Sequence, residues 1–179
     1  MVSWRIIITL GVFLHVGNAV LAAETRPLAK ELEVFRPYLD KTWQGQLSEP
    51  GKPLQMDVSH WQRALNGQAI KITHSVNQGV YGGETILFFD KKTQSLKYYY
   101  FTTAGFYTHG TMTFDAGSGF LVAEELVENN QQGITKVRSV NRLTADSLQV
   151  TSEYLQKGKW VPGHQVSYQS APAASVVFQ

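Results

Sequence analysis

The chain has 179 residues, of which 43% are hydrophobic and 17% charged, and its formal net charge is +2. Such a composition describes one globular domain rather than a disordered segment, long enough to bury a core. No Lys/Arg cluster occurs in it, so nucleic-acid binding and polybasic attachment to membranes lack their electrostatic footprint.

Residues 1–23 have the three parts of a secretory signal. Arg5 supplies the positive start, residues 6–16 are apolar apart from Thr9 and His15, and Val20 and Ala22 suit the small-residue positions before a cut. Cleavage is expected after Ala22, with Ala23 the second choice. The apolar run is shorter than the roughly 20 residues that span a bilayer, which argues against a membrane anchor. The chain contains no Cys, so lipid attachment after the signal, disulfides, thiol catalysis and zinc–thiolate sites all drop out. The expected location is periplasmic or secreted, and a bacterial periplasm fits better than animal secretion.

Residues 26–39 repeat Leu28, Leu32, Phe35 and Leu39 at spacings of three and four, a helical period. Thr25 suits the N-cap, Pro27 the first turn, and Pro37 ends or kinks the run. This helix is expected to lie across one end of a barrel formed by the rest of the chain.

From Thr42 the period changes to two. Strands are expected over residues 42–48, 54–64, 68–76, 84–90, 96–103, 106–114, 120–128, 134–143, 148–156 and 160–168. Turn residues separate them: Glu49-Pro50-Gly51-Lys52-Pro53, Asn66-Gly67, the 90–95 polar break, Ala104-Gly105, residues 116–119, residues 129–133, residues 144–147 and Lys157-Gly158-Lys159. Consecutive hairpins without crossovers mean antiparallel pairing, and closing the sheet removes its edges. The fold class is therefore all-β: an antiparallel meander β-barrel of about ten strands with one short N-terminal helix. The chain divides into a signal peptide (1–22), the helix (23–41), the barrel (42–169) and a frayed or edge-added tail (170–179). Gly79, Gly82 and Gly83 precede a strand rather than a helix, which points to a bulge or bend and not to a phosphate loop.

A helix, a Trp43-Gln44-Gly45 first strand and a nine-strand meander resemble the calycin-like group, which includes lipocalins, fatty-acid-binding proteins and nitrobindin-type barrels. Trp61-Gln62-Arg63-Ala64-Leu65-Asn66-Gly67 and the segment from Gly83 to Asp90 resemble uncharacterised exported bacterial proteins of the DUF1579-like kind. The likeness covers residues 32–168 and rests on structural glycines and aromatics, so it speaks to fold before function. It implies a barrel whose interior holds a small molecule. Nitrobindin-type barrels bind haem through a histidine late in the chain, so the resemblance marks His164 for iron ligation; no other metal or cofactor is implied.

Among residues that carry chemistry, His74 shares the apolar face of Ile70, Ile72 and Val76 and is expected to point inward, either as a hydrogen-bonded core residue or as a ligand-binding one. His109 follows the Ala104-Gly105 turn and belongs near a rim. Arg63 and Arg138 would need a carboxylate or an anionic ligand if they point inward; a fatty-acid-like carboxylate would serve. Glu124 and Glu125 are adjacent on a strand and so face opposite sides, while Asp57 and Asp115 fit solvated faces or turn caps. Residues 79–114 are aromatic on both faces, with Tyr98 and Tyr100 on one side and Tyr99 and Phe101 on the other. That is more than a strand with one solvated face requires.

The leading expectation is thus an exported barrel that binds a small apolar or amphipathic molecule through His74, Tyr98, Tyr100, His109, Arg63 and Arg138. The alternatives are an enzyme with a His/Tyr/Glu acid–base site inside the barrel, a haem-binding barrel, and a module that docks a partner on an outer aromatic face.

Overall fold

The structure is a computed structural model that describes residues 26–115, 120–144 and 146–179. The expected signal segment and cleavage site, the expected Thr25 cap and the 116–119 turn lie outside the described residues. A 3-10 helix, Lys30–Tyr38, leads into ten strands: β1 (Lys41–Ser48), β2 (Gln55–Ala64), β3 (Ala69–Val76), β4 (Tyr81–Asp90), β5 (Ser95–Thr102), β6 (Tyr107–Asp115), β7 (Phe120–Glu128), β8 (Ile134–Leu143), β9 (Ser147–Gln156) and β10 (Lys159–Ser170). Each strand pairs antiparallel with its sequence neighbours, and β10 pairs with β1 to close the barrel. Closure leaves no unpaired strand edge, the aggregation hazard of an open sheet.

Register tells inside from outside. In β2, Asp57, Ser59 and Trp61 lie opposite Val76, His74 and Ile72 of β3, and residues directly paired across a ladder share a face. The period of two then carries the inward face around the barrel: Thr85 and Leu87, Tyr98 and Tyr100, Thr108, Glu125, Val137, Ser152 and Tyr154.

One half of the interior is dry. The helix lies over the end where β1 begins and β2 finishes, and buries Leu32, Phe35 and Tyr38 against Trp43, Trp61, Ile70, Leu87, Leu96, Leu121 and Leu148. The buried trio is spaced by three, so the side chains line up along a 3-10 turn rather than on the α-helical stripe of Leu28 and Leu39. Pro37 inside the helix lacks the N–H and crowds the carbonyl four residues back, which disfavours an α turn there. Tyr38 packs tilted against Trp43 and Trp61, with ring centroids 5.1 and 5.7 Å away, and its hydroxyl donates to the Thr144 carbonyl oxygen. Each such aromatic or leucine side chain contributes roughly 1.5–3 kcal/mol by leaving water.

Three details differ from the sequence expectation. The Asn66-Gly67 hairpin is a four-residue turn, because Ala64 pairs with Ala69. Its Gly67 has φ +88°, and a Cβ there would run into the carbonyl of Pro27; the same turn accepts a 2.8 Å hydrogen bond from Ala29 N to Gly67 O. The turn is therefore a seat for the segment that enters the helix. Gly82 and Gly83 lie within β4, opposite Ser75 and His74, not in a bend before it. A Cβ at Gly83 would strike the Phe101 carbonyl and the Tyr100 ring, so the glycine makes room for an inward tyrosine. Finally, the tail is neither frayed nor an added edge strand, since a closed barrel has no edge to offer. Ala171 N bonds Thr42 O at 2.8 Å, Val177 N bonds Ser75 Oγ at 3.1 Å, and Gln179 Nε2 bonds Gln78 O at 2.9 Å. The tail thus runs across the outer wall, and Ser75, though outward-facing, is buried beneath it.

Candidate functional site

Above the apolar floor the interior turns polar. Trp61 Nε1 donates to Ser59 Oγ at 2.8 Å and marks the boundary. Above it a chain of hydrogen bonds crosses five strands. Tyr168 on β10 donates to Asp57 Oδ2 on β2, and Asp57 Oδ1 lies 3.0 Å from His74 Nδ1 on β3. His74 Nε2 lies 2.7 Å from the Tyr100 hydroxyl on β5, which lies 2.7 Å from the Tyr81 hydroxyl on β4. Phe106, in the turn at the far rim, stacks on Tyr81 with centroids 6.4 Å apart.

The proton order is set from the acid end. A carboxylate only accepts, so His74 Nδ1 carries a proton toward Asp57. When the imidazole is neutral, Nε2 accepts from Tyr100, whose oxygen accepts from Tyr81, so every proton points toward Asp57 and the Tyr81 oxygen keeps its acceptor lone pairs at the end nearest the rim; when the ring carries a second proton, Nε2 donates to Tyr100 and the order beyond it reverses.

Two more groups face this chain. Glu125 of β7 accepts from Thr108 Oγ1 at 2.6 Å and from the Tyr98 hydroxyl. Burial raises the Glu125 carboxyl above its ordinary value, and those two hydrogen bonds only partly offset it. His164 turns inward at a β-bulge between Pro162 and Gln165. Its Nδ1 lies 3.0 Å from Ser152 Oγ and 2.8 Å from the Tyr154 hydroxyl. Ser152 spends its own proton on the His164 carbonyl oxygen; Nδ1 therefore either donates to Ser152 Oγ or accepts from the Tyr154 hydroxyl, according to the tautomer, and Nε2 has no hydrogen bond among the described residues. Burial lowers the His164 pKa, which keeps the ring neutral. Burial also raises Tyr81 and Tyr154, each to about 12, and Tyr100 well above its usual value. These hydroxyls stay protonated at any physiological pH.

Tyr81, Thr85, His74, Tyr100, Glu125, Tyr154 and His164 are only half-buried although all face inward; the His74 side chain retains 20% exposure against 2% for Asp57. Water therefore reaches the upper interior through the end opposite the helix. A hollow of about 210 Å3 lies at β6–β8, lined by Glu125 and Val137 together with His109, Lys136 and Trp160, and another of about 310 Å3 lies over the outer faces of β1, β10 and β9.

The six residues singled out from the sequence separate. His74, Tyr98 and Tyr100 meet inside the barrel. His109 is on the outer wall, stacked 5.7 Å from Tyr99 and 6.2 Å from Tyr107, with Phe101 continuing the row. Arg138 is also outside, bonded to Glu153 at 2.6 Å and lying 4.3 Å over the Trp160 ring. Arg63 sits at the helix end, its Nε 2.6 Å from the Pro27 carbonyl oxygen. Each arginine has a local partner, so neither supplies a cation to the upper interior. Asp57, assigned to a solvated or capping role, is instead 1% exposed and anchors the hydrogen-bonded chain. Its parity with Trp61 was the available signal: residues 57, 59 and 61 share a face, and Trp61 belongs in the core. Tyr81 and Tyr154 are not singled out by the sequence pattern, and Glu125 is set aside there as one of an adjacent pair, although it shares parity with the buried Leu121 and Ala123.

No protein-family model matches the chain, and no curated protein does. Among solved structures, the chain is similar to Rv2717c from M. tuberculosis, at 12% identity over 81% of this chain and 99% of that one, with a TM-score of 0.65. It is also similar to the S-type phycobiliprotein lyase CPES from Guillardia theta, at 14% identity over 85% and 97%, with a TM-score of 0.49. The closed ten-strand barrel and the likeness to Rv2717c fit a calycin-like fold. At these identities the likeness extends to fold alone.

Proposed function

We propose that this is an exported barrel that binds a small amphipathic molecule in its upper interior. One observation carries the proposal: a row of inward polar groups, from Tyr81 through Tyr100 and His74 to Asp57, is reached by water and stands directly above an apolar floor. An apolar body resting toward Tyr98 and Leu87, with a polar end at the tyrosine hydroxyls, matches that division. Binding sites of this kind are apolar clefts with a few converging polar groups. Export is part of the proposal and rests on the signal-like residues 1–23; the mature chain is expected to begin at Ala23.

The test is native mass spectrometry of protein purified from the periplasm, which reads the mature N-terminus and any co-purified molecule at once. A bound amphiphile lost in Tyr100→Phe and retained in His109→Ala, whose ring is on the outer wall, supports the proposal. Absence of any bound molecule, together with no binding in a lipid screen, overturns it.

A second reading takes its support from His164. The His164 ring is neutral through burial, its Nδ1 is held by Ser152 and Tyr154, and its Nε2 has no hydrogen bond among the described residues, so with the proton on Nδ1 this nitrogen would be free to hold haem iron. Haem when bound would supply redox or gas-binding chemistry, and His164 would be the residue that holds it. Added haem giving a sharp absorption band that disappears in His164→Ala favours this reading; an unchanged spectrum removes it.

A further inference from the structure

The polar half of the barrel has an uneven charge. Its inward ionisable groups are Asp57, Glu125, His74 and His164, and among the described residues no Lys or Arg occupies an inward position there. Lys41 and Arg63, which share the inward parity, are at the helix end and bond the Pro37 and Pro27 carbonyls. His164 is neutral through burial. Even if His74 carries a proton, it only balances Asp57, and Glu125 remains. Glu125 is half-buried with no Lys or Arg on the inward face to pair with, and the basic side chain whose charge acts on it, His109, is on the outer wall; such a carboxylate favours a ligand that brings a counter-charge.

The hydrogen-bonded chain adds a direction to that charge. With the His74 ring neutral, its free end is the Tyr81 oxygen, an acceptor, and Glu125 accepts from Thr108, which lies directly opposite Tyr100 in the β5–β6 ladder, so the carboxyl and the tyrosines share this part of the interior. A donor with positive charge satisfies both features. A carboxylate ligand satisfies neither: it would meet Glu125, find an acceptor at Tyr81 and have no guanidinium to pair with.

We infer that the barrel's ligand is an amine, a protonated ammonium on an apolar or aromatic body, seated between the Tyr81 oxygen and Glu125. This rests on the proposed function above and goes beyond it by naming the headgroup. It reverses the fatty-acid-like ligand that inward arginines would have required. The bound cation also holds the chain in the polarity described, because an imidazolium at His74 would place a like charge behind Tyr100.

Octylamine, octanol and octanoic acid share one alkyl chain and differ in the headgroup, so calorimetric titration of the mature protein with the three at pH 7 separates the two claims. The amine is expected to bind tighter than the alcohol by about tenfold or more, the scale of a charge-assisted hydrogen bond, and the acid weakest. Glu125→Gln should bring the amine to the level of the alcohol. Glu124→Gln removes the same charge from the outer face and should leave the preference intact. Equal binding of all three, or a preference for the acid, overturns the amine while leaving an amphiphile-binding barrel standing. No binding of any of the three overturns both. A preference for the amine abolished equally by both variants overturns the assignment to Glu125, since net charge alone would then account for it.

Discussion

Glu125 is the residue whose neighbours matter most and whose role the chain's periodicity hides. It alternates with Glu124, and the two look identical in sequence; β7 turns one into water and the other against Thr108 and Tyr98. Burial raises its folded-state affinity for a proton above that of the unfolded chain. Such a group lends stability below its unfolded pKa, about 4.3, and loses it as pH rises through the folded value. Glu125→Gln has no proton to lose. It is therefore expected to melt above the wild type at pH 8, with the gap closing toward pH 4. Thermal denaturation at pH 4, 6 and 8 reads this directly, and a difference independent of pH would show that Glu125 is not held against ionisation. His164 runs in the opposite sense: its lowered pKa favours the neutral ring, so its contribution is complete above about 6.5 and declines as pH falls.

At the scale of elements, the 3-10 helix closes one end of the barrel and thereby decides which end is open. Leu32 and Phe35 are 0% and 1% exposed, and the helix has no side-chain cap bond of its own at Ala29. Packing rather than local hydrogen bonding holds it, as is usual for short helices. Leu32→Ala should cost about 2–5 kcal/mol of folding stability, the range for a large-to-small change in a filled core. Denaturant unfolding followed by tryptophan fluorescence measures it, since Trp43 and Trp61 both pack in that end. A cost below about 1 kcal/mol, the scale of surface substitutions, would mean that the helix does not seal the floor. The strands and nearly all the turns could be placed from the sequence because alternation and Gly, Pro and Asn signals are local. The helix type, the four-residue turn at Gly67 and the path of the tail could not. Each is settled by what a segment touches: Pro27 over Gly67, and Val177 over Ser75.

The whole molecule is one closed ladder in which every strand has two partners. No strand can leave without breaking both neighbours' hydrogen bonds, so equilibrium unfolding is expected to be a single transition. Far-ultraviolet circular dichroism and tryptophan fluorescence should give coincident denaturant curves. Separated midpoints would show that the helix end and the polar end unfold independently.

The division of the interior belongs to this scale too. The sequence by itself determined that the chain is a meander of short antiparallel strands, where it turns, and that it folds without disulfides, because these are consequences of period, turn chemistry and composition. It could not determine which face of each strand is inside. Both faces carry aromatics: Tyr98 and Tyr100 inward, Tyr99 and Phe101 outward. Only closure of the sheet resolved that parity. The register brought Asp57, His74, Tyr100 and Tyr81, from four strands, into one hydrogen-bonded line and left Arg138 and His109 on the outer wall. The physical reason is that a strand's pattern reports only alternation, whereas the meeting of side chains across the barrel depends on closure and on the register of the strands between them.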